Sequence, residues 1–185
     1  MRRTQHTAIV ILSLVTLACG LPAAFGEETE LQIPWTGGDL QEAFSVGTEI
    51  VYSRTGTDEA GRQFGGTHSF KVEESSPQIV EIYSIWEDGG ERSHGTNAMV
   101  WEDAAFLFSY SNSQLKVLGS ELVETPLGSF DTVVVEVSHD FHGTRQTYWM
   151  IPDRPGIYAR VVDHGKKDSP KKLVMTLKAV TTAGS

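Results

Sequence analysis

From residue 48 onward apolar and polar positions alternate with a period of two almost throughout, and no stretch of 10 or more residues carries a 3.6-residue apolar stripe. The pattern predicts an all-β protein. Candidate strands are Thr48–Arg54, Thr67–Glu73, Gln78–Glu87, Arg92–Trp101, Ala104–Ser111, Gln114–Val117, Leu122–Glu124, Thr132–His139, Thr144–Ile151, Gly156–Asp163 and Lys172–Thr181. Turn signals separate many of them: Gly89-Gly90 sits at a two-residue hairpin position, and Pro152 and Pro155 exclude a central strand between them. Such short gaps join antiparallel neighbours, so the expected architecture is a single antiparallel meander sheet.

Some strands are apolar on one side only. Val133, Val135 and Val137 alternate with Thr132, Glu136 and Ser138, so the valines are expected to face the concave interior and the polar set to face away. Others, Ile79–Trp86 and Ala104–Tyr110, are apolar on both sides, as in a strand central to a closed or strongly curved sheet. The expectation is therefore a half-barrel or open barrel. One short N-terminal helix is expected in Gly37–Phe44, where Asp39 precedes Glu42 by three residues in a capping-box arrangement.

The beginning of the chain sets the expected compartment. Residues 1–26 combine a basic leader with Arg2 and Arg3, an apolar run of 12 from Thr7 to Ala18, and a breaker-rich end at Gly20–Gly26. This is the pattern of a signal peptide, giving an exported, periplasmic protein with no transmembrane segment in the mature chain. Two processing sites compete: Ala24-Phe25-Gly26, and a membrane-anchored lipoprotein alternative at Cys19. Cleavage after Gly26 removes Cys19, and with it any disulfide or thiolate chemistry. The division is then a signal peptide at 1–26, an extension with the short helix at 27–47, and a curved β domain at 48–185.

The formal charge is −9, and losing Arg2 and Arg3 makes it more negative still, which argues against nucleic acid as a partner. The basic cluster His164–Lys172 reads as a hairpin loop, with anionic lipid head groups as the other reading.

The candidate chemistry is sparse. His139, Asp140 and His142 lie together at a turn and could in principle hold a transition metal, which would make the protein a metal-assisted hydrolase; residues i and i+3 of a strand face opposite ways, so a polar turn is the other reading. No nucleophile elbow, phosphate-binding glycine loop or Ser-x-x-Lys pair is present, and no catalytic residue, cofactor or metal is assigned. The aromatic residues give a second hint. Phe106, Phe108 and Tyr110 share one face, and with Val133, Val135, Val137 and Trp149 they form a candidate ligand-lining set, although aromatic and β-branched residues also fill ordinary β cores.

Gly128-Ser129-Phe130 ahead of one strand and Trp149-Met150-Ile151-Pro152-Asp153 leading into the next resemble an uncharacterised family of bacterial periplasmic β-proteins, over Thr125 to Val162. The chain is further similar to the envelope lipoprotein-carrier half-barrel class. That resemblance implies an open half-barrel around an acyl-binding cavity and supplies no catalytic residue. The turn Pro152-Asp153-Arg154-Pro155-Gly156 departs from the shorter Pro-Asp-Leu-Gly of the pattern. The resulting expectation is a non-catalytic cell-envelope protein that binds a hydrophobic ligand, such as a lipid, or an envelope partner protein on its concave face; a purely structural envelope component is the remaining alternative.

Overall fold

A short helix, α1 (Gly37–Ala43), opens the fold, and its start is fixed by Thr36. The Thr36 hydroxyl accepts from the Asp39 amide while Asp39 Oδ2 accepts from the Thr36 amide at 2.6 Å. The capping box is therefore Thr36–Asp39, three residues earlier than the expected Asp39–Glu42, and it satisfies two orphan backbone donors reciprocally. The structure, a computed structural model, describes residues 32–104, 114–139, 143–166 and 169–182.

Nine strands follow: β1 (Glu49–Thr57), β2 (Gln63–Ser75), β3 (Ile79–Asp88), β4 (Glu91–Val100), β5 (Gln114–Thr125), β6 (Gly128–His139), β7 (Thr144–Met150), β8 (Tyr158–Lys166) and β9 (Lys172–Thr181), with a one-turn helix α2 (Trp101–Ala104) after β4. They form one antiparallel sheet in the order β4-β3-β2-β1-β9-β8-β7-β6-β5. Two meanders are thus joined through β1 and β9, and the sheet stays open, with β4 and β5 at its edges. Both edges carry features that discourage pairing: Glu91 to His94 of β4 are exposed and polar, and β5 has a register shift between Val117 and Gly119.

The sheet bends strongly. Residues of β5 approach β8 and β9 within 8 Å between Cα atoms, whereas three and four strand spacings in a flat sheet would separate them by roughly 14 and 19 Å. Gln114–Val117 and Leu122–Glu124, expected as two strands, are halves of β5, because the shift bends the ladder without ending it. Trp101 ends the strand expected at Arg92–Trp101 and starts α2; the strand expected at Ala104–Ser111 lies almost wholly outside the described residues.

The inner face holds the core. Tyr52, Tyr148, Tyr158, Val135, Met175 and Leu177 are fully buried there, with Tyr52 Oη accepting from the Tyr158 amide at 3.3 Å. One end of the sheet is capped by both helices: Phe44 and Trp101 pack at 6.4 Å, Trp35 Nε1 donates to the Ile151 carbonyl at 3.0 Å, and Trp101 Nε1 donates to the Ser76 carbonyl at 2.9 Å. Gly156, in the turn between β7 and β8, has φ 79° and lies against the Phe44 ring, so a side chain there would be strained and obstructed. The opposite end carries the hairpins β1–β2, β3–β4, β6–β7 and β8–β9.

The orientation of β6 is only half as expected. Val133, Val135 and Val137 are buried on the inner face, but Thr132 on the outer side is 1% exposed and Val134 is buried too. The Thr132 hydroxyl donates to the Glu121 carbonyl at 2.6 Å, and the Glu121 carboxylate reaches across that side to Trp149. A threonine can be buried this way because its one polar group finds a backbone acceptor on the neighbouring strand.

Candidate functional site

One level of the inner face interrupts the apolar rows. In register across six strands stand Val135, Tyr148, Val161, Met175, Arg54 and Gly66, and the row continues to Asp88 on β3. β1 alternates inward Ile50, Tyr52 and Arg54, so the period that buries a tyrosine also turns a guanidinium inward. Its side chain is 15% exposed.

Arg54 Nη1 lies 2.7 Å from Asp88 Oδ2, in a close ion pair rather than a well-aligned hydrogen bond. The two residues belong to strands separated by β2, a gap of about 10 Å between backbones. The residue between them in register is Gly66. A Cβ there would overlap the Glu87 carbonyl oxygen and lie 3.0 Å from Asp88 Oδ1, so glycine is what lets the two side chains close over the intervening strand.

One aromatic ring lies against Arg54, and two more lie against the neighbouring His68. Arg54 Cζ stands 5.2 Å from the Phe64 ring centroid, and His68, next on the inner face of β2, packs on Phe70 at 4.1 Å and on Trp86 at 5.6 Å. Burial, and then the Arg54 charge, lower the His68 pKa from 6.5 to about 4, so the imidazole is neutral near neutral pH. The cluster thus combines one cation, one anion and a neutral histidine. Arg54 Nε, Arg54 Nη1 and Asp88 Oδ1 are buried and have no hydrogen-bond partner among the described residues. Such groups cost stability, and a purely structural ion pair would do better with its donors and acceptors filled.

The structure divides the expected ligand-lining set. Val133, Val135 and Val137 share the inner face with Tyr148. Trp149 pairs with Val134 and stands on the other face, where its Nε1 donates to Glu121 Oε2 at 2.7 Å and Arg160 lies 5.5 Å over its ring. Phe106, Phe108 and Tyr110 lie outside the described residues, as do Asp140 and His142; His139 ends β6 opposite Thr144. Among the described residues no group of three or more His, Cys, Asp or Glu is placed to hold a metal. Sequence reasoning missed Arg54, Gly66 and Asp88. The available signal was a charged residue on the inward phase of an apolar alternation, with a glycine pair on the next strand.

No family model and no curated protein matches the chain. Among solved structures, it is similar to MucB of Pseudomonas aeruginosa, determined in complex with MucA, at TM-score 0.46 and 13% identity over 79% of this chain and 55% of that one. It is also similar to an exported protein of YmcC-like fold from Bacteroides fragilis, at TM-score 0.41 and 9% identity over 75% and 97% of the two chains. A lipoprotein from Parabacteroides distasonis matches at TM-score 0.40 and 12% identity, over 75% and 96%. The chain spans about half the length of MucB. At these identities and TM-scores the likeness assigns no ligand, partner or activity. Fold and site together define an all-β protein with an open, curved sheet and a buried polar pair on its apolar inner face.

Proposed function

We propose that this is an exported, non-catalytic protein that binds a hydrophobic ligand on the inner face of its sheet. The observation that carries this is the Arg54–Asp88 pair: a polar pair on an apolar face, with Phe64 against Arg54 and the neighbouring His68 packed on Phe70 and Trp86, away from the helix-capped end. An apolar surface with a few convergent polar groups is the usual make-up of a small-molecule site. Solvent extraction of the purified protein with mass spectrometry, together with displacement of a fluorescent apolar probe, tests the reading. A co-purified or saturably bound amphiphile is expected; finding neither would overturn it.

Export rests on the leader read in residues 1–26, which lie outside the described residues. Among the described residues no helix is long and apolar enough to cross a membrane. Intact-mass measurement should give a chain beginning at Glu27, whereas an acylated species beginning at Cys19 would make the protein a membrane-anchored lipoprotein.

A further inference from the structure

The basic cluster His164–Lys172 takes no part in the inner-face site. It closes the hairpin between β8 and β9, at the end of the sheet away from the helices, and Lys166, Lys171 and Lys172 are all exposed there. No carboxylate among the described residues pairs with any of the three. The neighbouring acids are otherwise engaged: Asp58 holds Arg62 at 2.8 Å, Asp163 Oδ1 accepts from the Gly165 amide at 2.8 Å, and Glu136 lies 3.7 Å from Arg145. The local field is positive. At His164, whose pKa is lowered first by burial, the next largest effects come from the Arg145 and Lys172 charges, ahead of Asp163 and Glu136.

The loop is also held in one shape. Ser169 donates its amide to the Lys166 carbonyl, Lys171 donates its amide to Ser169 Oγ, and Thr57 on β1 donates its hydroxyl to the Pro170 carbonyl. Gly165, at φ 65°, lets the hairpin close, since a Cβ there would lie 2.6 Å from the Lys171 carbonyl oxygen. Beside the loop an open cleft of about 380 Å³ crosses β9, β1 and β2, with Thr55, Thr57, Gln63 and Lys172 in its lining. An unpaired ammonium thus borders a recess with hydroxyl and amide groups in its wall.

We propose that this hairpin end is a docking surface for an anionic lipid membrane, with Lys166, Lys171 and Lys172 over the head groups and the cleft beside Lys172 receiving a lipid phosphate. The chemistry of the loop favours a membrane over an acidic protein. Protein interfaces are anchored by aromatic side chains and arginine and are depleted in lysine, whereas His164–Lys172 offers lysines, with Pro170 as its one apolar side chain. A lysine ammonium is a point charge on a flexible stem, which suits a laterally mobile layer of phosphates better than one fixed geometry. The chain's formal charge of −9 supplies the orientation, because an anionic surface repels the acidic faces and attracts this end.

Co-sedimentation of the purified protein with vesicles of phosphatidylcholine alone, and of phosphatidylcholine mixed equally with phosphatidylglycerol, tests the proposal. At low salt the protein should bind the mixed vesicles and not the neutral ones, and raising the salt should release it. The Lys166→Gln, Lys171→Gln, Lys172→Gln triple variant should bind about tenfold more weakly or worse, since each lysine near such a surface contributes about fivefold. A Lys71→Gln, Arg154→Gln, Lys178→Gln variant removes the same charge toward the helix-capped end and should stay within about twofold of wild type. All six side chains are exposed, so urea melts of both variants should lie close to wild type. No binding to the mixed vesicles, or equal losses in the two triple variants, would overturn the docking surface. Soluble polyglutamate that competes as well as the vesicles at equal charge concentration would overturn the membrane as the partner and favour an acidic protein. The inner-face reading stands or falls separately, because neither triple variant touches that face.

Discussion

Arg54 on β1 and Asp88 on β3 meet at 2.7 Å across Gly66, the residue that stands in register between them on β2. The geometry needs all three positions, since neither charged side chain would be compensated if the middle residue carried a Cβ. Gly66→Ala should therefore destabilise the protein by about 2 kcal/mol or more, through overpacking and an uncompensated buried charge. Gly65→Ala is the control. A Cβ at Gly65 would meet only the Arg54 carbonyl oxygen, at an ordinary 3.7 Å, so urea melts should show little loss or a small gain there. Equal losses at both glycines would mean that the pair is not what Gly66 protects.

His68 should make stability fall in acid. Burial and Arg54 hold its folded-state pKa at about 4, against 6.5 in the unfolded chain, so the unfolded state binds more protons between those values. The stabilisation is fully present above pH 6.5 and is lost as pH falls toward about 4, by at most about 3 kcal/mol at 1.36 kcal/mol per unit. His164, whose pKa burial also lowers, adds a slope of the same sign. The informative comparison is therefore wild type against His68→Phe, which should lose part of the slope. Asp39 and Asp58, whose pKa values hydrogen bonds hold below 3.8, act only at lower pH. Identical pH profiles for the two proteins would mean that His68 is not desolvated.

On β6 both faces resist charge. Val135→Asp desolvates a carboxylate in the core, and Thr132→Asp does so on the other side while losing the bond to the Glu121 carbonyl, so each should cost several kcal/mol. Leu122→Asp on the edge strand, where the side chain is 62% exposed, should stay within about 0.5 kcal/mol. A Thr132→Asp variant as stable as wild type by urea melt would place that residue on an open surface.

Trp149 should matter for stability and not for binding. Trp149→Ala removes the Glu121 bond and the Arg160 contact, at a cost of about 1–3 kcal/mol, while the inner face is untouched. Probe affinity should therefore remain within about twofold of wild type at a temperature where both are folded. A tenfold loss of affinity would put the indole in the ligand site.

The amino-acid sequence determined the fold class by itself. An alternation of period two, as in Ile50, Tyr52 and Arg54 or Val133, Val135 and Val137, is compatible with a β-strand and with little else. The turns were legible for a similarly local reason, since Gly89-Gly90 and Pro152-Asp153-Arg154-Pro155-Gly156 restrict their own backbone. Strand order was not legible: joining β1 to β9 rather than β4 to β5 depends on pairing between segments more than 100 residues apart, and every antiparallel alternative shows the same alternation. The burial of Thr132 and the outward position of Trp149 were hidden for the same reason, because period two says which residues share a face and not what covers it. Only the tertiary structure could bring Arg54, Gly66 and Asp88 together. They lie on three different strands, and their contact follows from register across the sheet, where a residue missing a side chain on one strand decides which charges on its neighbours can touch.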